Sequence, residues 1–336
     1  MLGIVHKLVS VLVFGTPTAL QTTSGDIYGG KTLAGITNFT VVPGIFIQDD
    51  PSFNSSGYDL LQDSFGLIDK SPNRWKNLEA HVTQLNKEAD AHTTYKLIYI
   101  ARHGEGFHNL AQSIYGTPAW DCRWSLLTTD GNITWGPDAL LDSTGISQAE
   151  AVNRAWKEQI KDGVPLPQTL YSSPLRRSAS TLNITWHDIL LNRGHVPRIK
   201  ENFRESIGLH TCDQRSNISV IRKTYPGWQI DPSFPFHDPL WDPTYQETDT
   251  LIGRRVRQEL ENLFAEDPST FLSITCHSGT ISGFFLAIGH RMIGVQTGGF
   301  VPVLVKATNC PTATMQPISG GQSATAPACT ADSTSL

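Results

Sequence analysis

The 336-residue chain has no run of apolar residues long enough to cross a bilayer as a helix, so stable membrane insertion is not expected. It has no excess of basic residues either: 26 Lys and Arg stand against 31 Asp and Glu, a net charge of −5. It therefore offers no general surface for nucleic acid or an acidic membrane, and any anion site must be built locally. Its five cysteines (Cys122, Cys212, Cys276, Cys310 and Cys329) contain no C-x-x-C pair, which removes zinc-knuckle and thioredoxin-type readings. The odd number leaves at least one thiol unpaired within a monomer. Cys310 with Cys329, and Cys122 with Cys212, are two candidate disulfides between which the sequence does not decide.

What is present reads as a globular chain, 39% hydrophobic and 17% charged, long enough for one large domain or two modest ones. Residues 1–19 resemble a secretory signal peptide: Lys7, then the apolar run Leu8–Phe14, then the small Gly15 and Ala19. Five N-x-S/T sequons, at Asn38, Asn54, Asn132, Asn183 and Asn217, lean the same way and would mark a glycoprotein. Residues 20–94, rich in Gly, Ser and Thr, are expected to form an irregular extension packed on the core. From residue 307 a Ser/Thr/Ala/Pro tail carries no core pattern and is expected to be disordered or glycosylated.

Between these lies a domain at 95–306. KLIYIA is a short continuous apolar run, as in a buried parallel strand. Residues 110–140 place Trp120, Trp124 and Trp135 among Gly, Pro and Asp, which suggests a long loop. Ile146, Ala149, Val152 and Trp156 recur at helical spacing, with Thr144 as a possible cap. TLYSS predicts a second strand, and Pro174 after it suits the start of a helix. Residues 206–247, rich in Pro, Trp, His and Asp, suggest a cap insertion. Asp249 is placed to cap a further helix. FLSITCHSG predicts a third strand, and a helix and a last strand, FVPVLVK, complete the pattern. Strands alternating with helices predict an α/β fold, a three-layer sandwich with a mostly parallel central sheet, plus a loop-rich cap.

Ligands of such sheets bind beyond the carboxyl ends of the strands. Three predicted strands end there in polar groups: Arg102-His103, Ser173-Pro174 leading to Arg176-Arg177, and Cys276-His277. Two guanidiniums and two imidazoles meeting in one crevice suit a compact dianion, because guanidinium pairs bidentately with phosphate oxygens and keeps its charge. A histidine among arginines has its pKa lowered by like charge. A neutral imidazole nitrogen is a nucleophile, and the cations would stabilise the transferring phosphoryl group without metal.

At these residues the sequence resembles the histidine phosphatase (phosphoglycerate mutase-like) superfamily. RHGEGFHN matches its RHG signature, in the R-H-G-x-G-x-H-N form of a mutase-like subgroup. SPLRRSAST resembles its S-P-L-x-R-x-x-x-T segment and selects Arg177 rather than Arg176. CHSGTISGFF resembles the second histidine motif. DSTGISQA resembles a helix-start motif, with Asp142 replacing the usual Leu. NFRESIG resembles the segment carrying the proton donor. The resemblance implies His103 as nucleophile, Glu205 as proton donor and His277 as the second catalytic histidine. Arg102, Arg177, Asn109 and Ser278 would bind the phosphoryl group. It implies a metal-independent phosphatase with no cofactor, acting on a small phosphorylated metabolite. A mildly acidic optimum follows if Glu205 must be protonated. A phosphomutase is the alternative, with His210 and Arg215 as the extra cations it would need, and a silent phosphate-binding protein is a remote one. The compartment is secretory, or cytoplasmic as for many members of that subgroup. Trp228, Phe236, Trp241 and Tyr245 of the cap would form an apolar wall or the cap's own small core. GDIYGGKT (Gly25–Thr32) fits a phosphate-loop pattern by letter. It lacks the strand and helix that give that motif its function and is read as coincidence.

Overall fold

The computed structural model describes residues 36–54, 59, 61–310 and 324–330, all within one unit, Thr32–Leu336. The signal-peptide segment and GDIYGGKT lie outside the described residues. Among the described residues a seven-stranded sheet runs β1 (Ile36–Val41), β7 (Phe300–Cys310), β2 (Thr93–Arg102), β6 (Phe271–Cys276), β3 (Thr169–Ser172), β4 (Arg198–Ile199) and β5 (Gln229–Ile230). From β2 to β5 neighbours are parallel; β7 is antiparallel to both β2 and β1.

Side-chain alternation along β2 builds the three layers. Ile98 and Ile100 face one cluster with Ile252, Val256, Leu260 and Leu263 of α7 (Asp249–Glu266) and with Ile281, Phe284 and Phe285 of α8 (Ser278–Ile288). Leu97 and Tyr99 face the other. That cluster holds Trp75 and Leu78 of α1 (Arg74–Glu88), Trp156 of α4 (Ser143–Lys161) and Trp186 of α5 (Arg176–Trp186). A sheet buried on both sides explains why the parallel strands read as unbroken apolar runs. Lys96 interrupts β2 yet is buried, its Nζ donating to the carbonyls of Asp267 and Ser269 at 2.6 and 2.5 Å.

Several expectations need correction. Residues 36–94 are more regular than an irregular extension: β1 completes the sheet edge, and α1 packs Trp75, Leu78 and Val82 into the cluster that holds Leu97 and Tyr99 of β2. The cap of α4 is Asp142, whose carboxylate accepts the Gly145 N–H at 2.8 Å, and Thr144 lies inside the helix. The cap position of α7 is Thr248, and Asp249 is its first residue. The Trp-rich segment is not all loop, since it contains α2 (Phe107–Tyr115) and α3 (Thr117–Cys122).

The 206–247 insertion contributes α6 (Ile218–Thr224) and β5. It has its own cluster of Ile218, Ile221, Tyr225 and Phe234, against which Trp228 packs. Buried guanidiniums pin it to the core. Arg204 meets both carboxylate oxygens of Asp238 at 2.8 and 2.6 Å, and Arg215 Nε donates to Glu201 Oε1 at 3.2 Å while its other nitrogens brace the cap through the carbonyls of Pro235 and His237. Such bidentate, charge-assisted pairs fix geometry more than they add stability.

Both candidate disulfides are replaced by another: Cys122 is bonded to Cys329, and Cys212 is a free, buried thiol like Cys276. Residues 324–330 are therefore held on the domain, and Ala324 also exchanges backbone hydrogen bonds with Gln246.

Candidate active site

Sheet register assembles the site. Arg102 pairs with Cys276 across parallel β2 and β6, so the next residues, His103 and His277, leave the sheet together. Their ring centroids are 5.0 Å apart. β3 is the neighbour of β6 on its other side, and it brings Ser173 Oγ to 2.7 Å from His277 Nε2. The turn after β3 then delivers Arg177 in the first turn of α5.

The immediate partners of His103 fix its protonation. Nδ1 lies 2.6 Å from the Gly104 carbonyl oxygen, which only accepts, so Nδ1 carries the proton. Nε2 then holds a lone pair and accepts the Arg177 Nε–H at 3.3 Å. Burial pushes the His103 pKa well below the ordinary imidazole value, and the Arg177 and Arg102 cations push it further. The sequence argument invoked only the like charge; desolvation is the larger cause. His277 and His108 are displaced the same way, again by burial first.

Arg177 is fully buried and fixed by the cap. Nη1 donates to the Cys212 carbonyl at 2.8 Å, and Nη2 to Asp213 Oδ1 at 2.6 Å. Asp213 is a functional residue that sequence reasoning missed: no motif marks it, and it acts only through the cap's fold. Arg102 donates to the Val295 carbonyl at 3.0 Å, while its buried Nε has no protein partner. The same holds for Nδ1 of His277. Ser173 Oγ also accepts the Leu175 N–H; when it donates its own proton to His277 Nε2, the imidazole proton lies on the orphan Nδ1. The unpaired Arg102 Nε–H is a donor suited to an anion.

Glu205 sits on the N-terminus of α8. Its carboxylate accepts the Gly279 N–H at 3.0 Å, the Ser278 hydroxyl at 3.1 Å and the Ser206 N–H at 3.0 Å. A Cβ at Gly279 would collide with that carboxylate, so this glycine makes room for the acid.

A cavity of about 270 Å³ opens on these groups, lined by Arg102, His103, Asn109, Arg177, Glu205 and Ser278 among others. Six of the seven residues expected from sequence thus share one wall system, with His277 packed against His103. Asn109 has a second task, accepting the Gly106 N–H at 3.1 Å through Oδ1 at the start of α2. His108 is buried at the cavity and does not face solvent. His210 lines it too, whereas Arg215 is absent from it and spent on the cap. Arg176 is engaged with Asp138.

None of Trp228, Phe236, Trp241 and Tyr245 lines this cavity; its aromatic wall is Trp120 of α3. Trp228 faces a larger cavity of about 520 Å³ beside Arg198 and Lys200, which contains none of the convergent residues. Donor atoms of His210, Cys212 and Asp213 lie within 4.8 Å of one another. A metal ion there would share Asp213 with the Arg177 cation, whose like charge opposes it.

The profile of the histidine phosphatase superfamily (branch 1) matches residues 98–293. A probable phosphoglycerate mutase of Arthroderma benhamiae is 39% identical over 83% of this chain and 87% of its own length. A phosphomutase-like protein of Candida albicans is 30% identical over 79% of this chain and 78% of its own. A probable phosphoglycerate mutase of Saccharomyces cerevisiae is 33% identical over 79% of this chain and 95% of its own.

Proposed function

The chain belongs to the histidine phosphatase superfamily, and from that premise we propose that it hydrolyses small phosphomonoesters through a phosphohistidine formed on His103. The observation that carries this reading is the locked tautomer of a cavity-lining residue: Nδ1–H is held by Gly104, and the Nε2 lone pair is engaged only by the long contact from Arg177 Nε–H at 3.3 Å. In the first step Nε2 attacks phosphorus as the ester P–O bond breaks. Arg177 turns its Nε–H from His103 to an equatorial oxygen, and Arg102 Nε and His277 Nδ1 supply further donors. Glu205 gives its proton to the departing alkoxide. In the second step Glu205 takes a proton from water as the water oxygen attacks phosphorus. The P–N bond breaks, and inorganic phosphate and neutral imidazole are regenerated.

A phosphomutase is the second reading, favoured by the names of the three relatives. It must hold a bisphosphorylated intermediate. The cavity offers two fixed cations, Arg102 and Arg177, against the carboxylates of Asp121, Glu205 and Asp213. That balance supports hydrolysis. The test is phosphate release from a panel of monoesters, with chelator present, by wild type and His103→Ala. Chelator-resistant release lost in the variant is expected. Release that survives the substitution, or isomerisation of phosphoglycerate without release, contradicts the reading.

We also infer an oxidising, secretory compartment. The Cys122–Cys329 disulfide supports it, as do the exposed sequon asparagines Asn38, Asn54, Asn132 and Asn183. A shift in electrophoretic mobility on enzymatic deglycosylation of the native protein is expected, and its absence would count against that compartment.

A further inference from the structure

Beyond the phosphate-binding floor, the cavity is lined by Gln112, Trp120, Asp121, His210 and Gln246. Trp120 is 3% exposed and stands edge-on to Trp135 and His210, with ring centroids 5.7 and 6.1 Å apart. It is a fixed apolar surface against which a small carbon skeleton can lie. Several polar groups around it keep hydrogen-bonding capacity unspent. Gln112 spends its Nε2 on Thr117 Oγ1 at 3.3 Å and keeps its Oε1. The carboxylate of Asp121 and the side-chain amide of Gln246 make no hydrogen bond or ion pair among the described residues. No lysine lines the cavity, and of its two arginines Arg177 is ion-paired with Asp213.

Resting on the phosphatase reading, we propose that the alcohol released carries hydroxyl groups and no anionic group, as in a polyol or sugar monophosphate, and that Asp121 determines this specificity. A half-buried carboxylate with no counter-ion accepts hydroxyl donors at a small desolvation cost. It repels a carboxylate or a second phosphate on the same substrate. Phosphoglycerate carries such a carboxylate on its leaving group and is disfavoured at this wall.

The test compares kcat/KM for glycerol phosphate, a hexose phosphate and 3-phosphoglycerate in wild type, Asp121→Asn and Asp121→Ser. The chromogenic p-nitrophenyl phosphate is run on wild type as a check on phosphatase activity itself. Wild type is expected to prefer the better polyol ester over 3-phosphoglycerate by about tenfold or more. Both variants should narrow that ratio, mainly through a lower KM for 3-phosphoglycerate. If p-nitrophenyl phosphate is turned over but 3-phosphoglycerate is preferred, or the ratio is unmoved in both variants, the specificity proposal fails alone. If no monoester is hydrolysed, the phosphatase reading fails and the proposal with it.

Discussion

Nδ1 of His103 lies 2.6 Å from the carbonyl oxygen of Gly104, the residue that follows it. The contact is local, so any chain that turns this way at the end of β2 orients its own imidazole. Gly104 is required for the turn, because a Cβ there would run into the backbone of Gly145 at the start of α4. The RHG triplet is therefore one device: cation, nucleophile, and the residue that sets the nucleophile's tautomer.

The tautomer leads to a spectroscopic prediction. With its pKa pushed well below the ordinary imidazole value by burial and by two arginines, His103 should remain neutral across the pH range in which a free imidazole titrates. Nitrogen-15 NMR of histidine-labelled protein should show one pyrrole-type and one pyridine-type nitrogen for this ring throughout that range. A ring that titrates near 6.5 contradicts the burial argument.

Gly279 leads to a kinetic one. Gly279→Ala places a methyl group where the Glu205 carboxylate rests. Turnover of alkyl phosphates should fall by roughly 10²–10⁴, the usual contribution of a positioned acid. p-Nitrophenyl phosphate, whose leaving group needs little protonation, should fall far less in the first step, and inhibition by inorganic phosphate should change little. Equal losses on both ester classes would argue that Glu205 is not the acid.

The buried imidazoles also tie stability to pH. His103, His108 and His277 have pKa values displaced downward in the folded state, so below about pH 6.5 the unfolded chain binds protons that the folded one does not. Stability should be unaffected by these groups above that pH and should decline as pH falls below it. The slope approaches about 1.4 kcal/mol per pH unit for each such histidine. Urea unfolding from pH 7.5 to 5 should show the decline, and His108→Gln should make it shallower. A midpoint flat across that interval would contradict the account.

The tail follows the same reasoning from contacts. Residues 324–330 are held by the Cys122–Cys329 disulfide and by the backbone exchange between Ala324 and Gln246. All of these residues but Ala326 are exposed, which places the segment at the low-stability end of the molecule. Mild reduction should open residues 324–330 to proteases while the domain stays folded. Resistance of the reduced tail would show that more than the disulfide secures it.

Legibility in the sequence followed the range of the interactions. β2, β3 and β6 were readable because strands buried on both faces are short apolar runs, and their polar ends, Arg102-His103 and Cys276-His277, stood out against them. β1 and α1 were not, because the Gly, Ser and Thr around them masked the pattern and the pairing partner of β1, β7, lies some 260 residues away. Asp213 was silent for the same reason: its value depends on Arg177 and arises only when the cap closes over α5. Trp228 and Trp120 illustrate the limit of composition: both are tryptophans in loop-rich stretches, yet of the two only Trp120 lines the cavity.

The most direct test is to look for the covalent intermediate. Wild type mixed with a slow monoester, quenched in alkali and digested, should yield the His103 peptide carrying one phosphoryl group. The adduct should be lost on brief acid treatment and absent from His103→Ala. Turnover with no phosphorylated His103, or a phosphoryl group on another residue, would contradict the proposed mechanism.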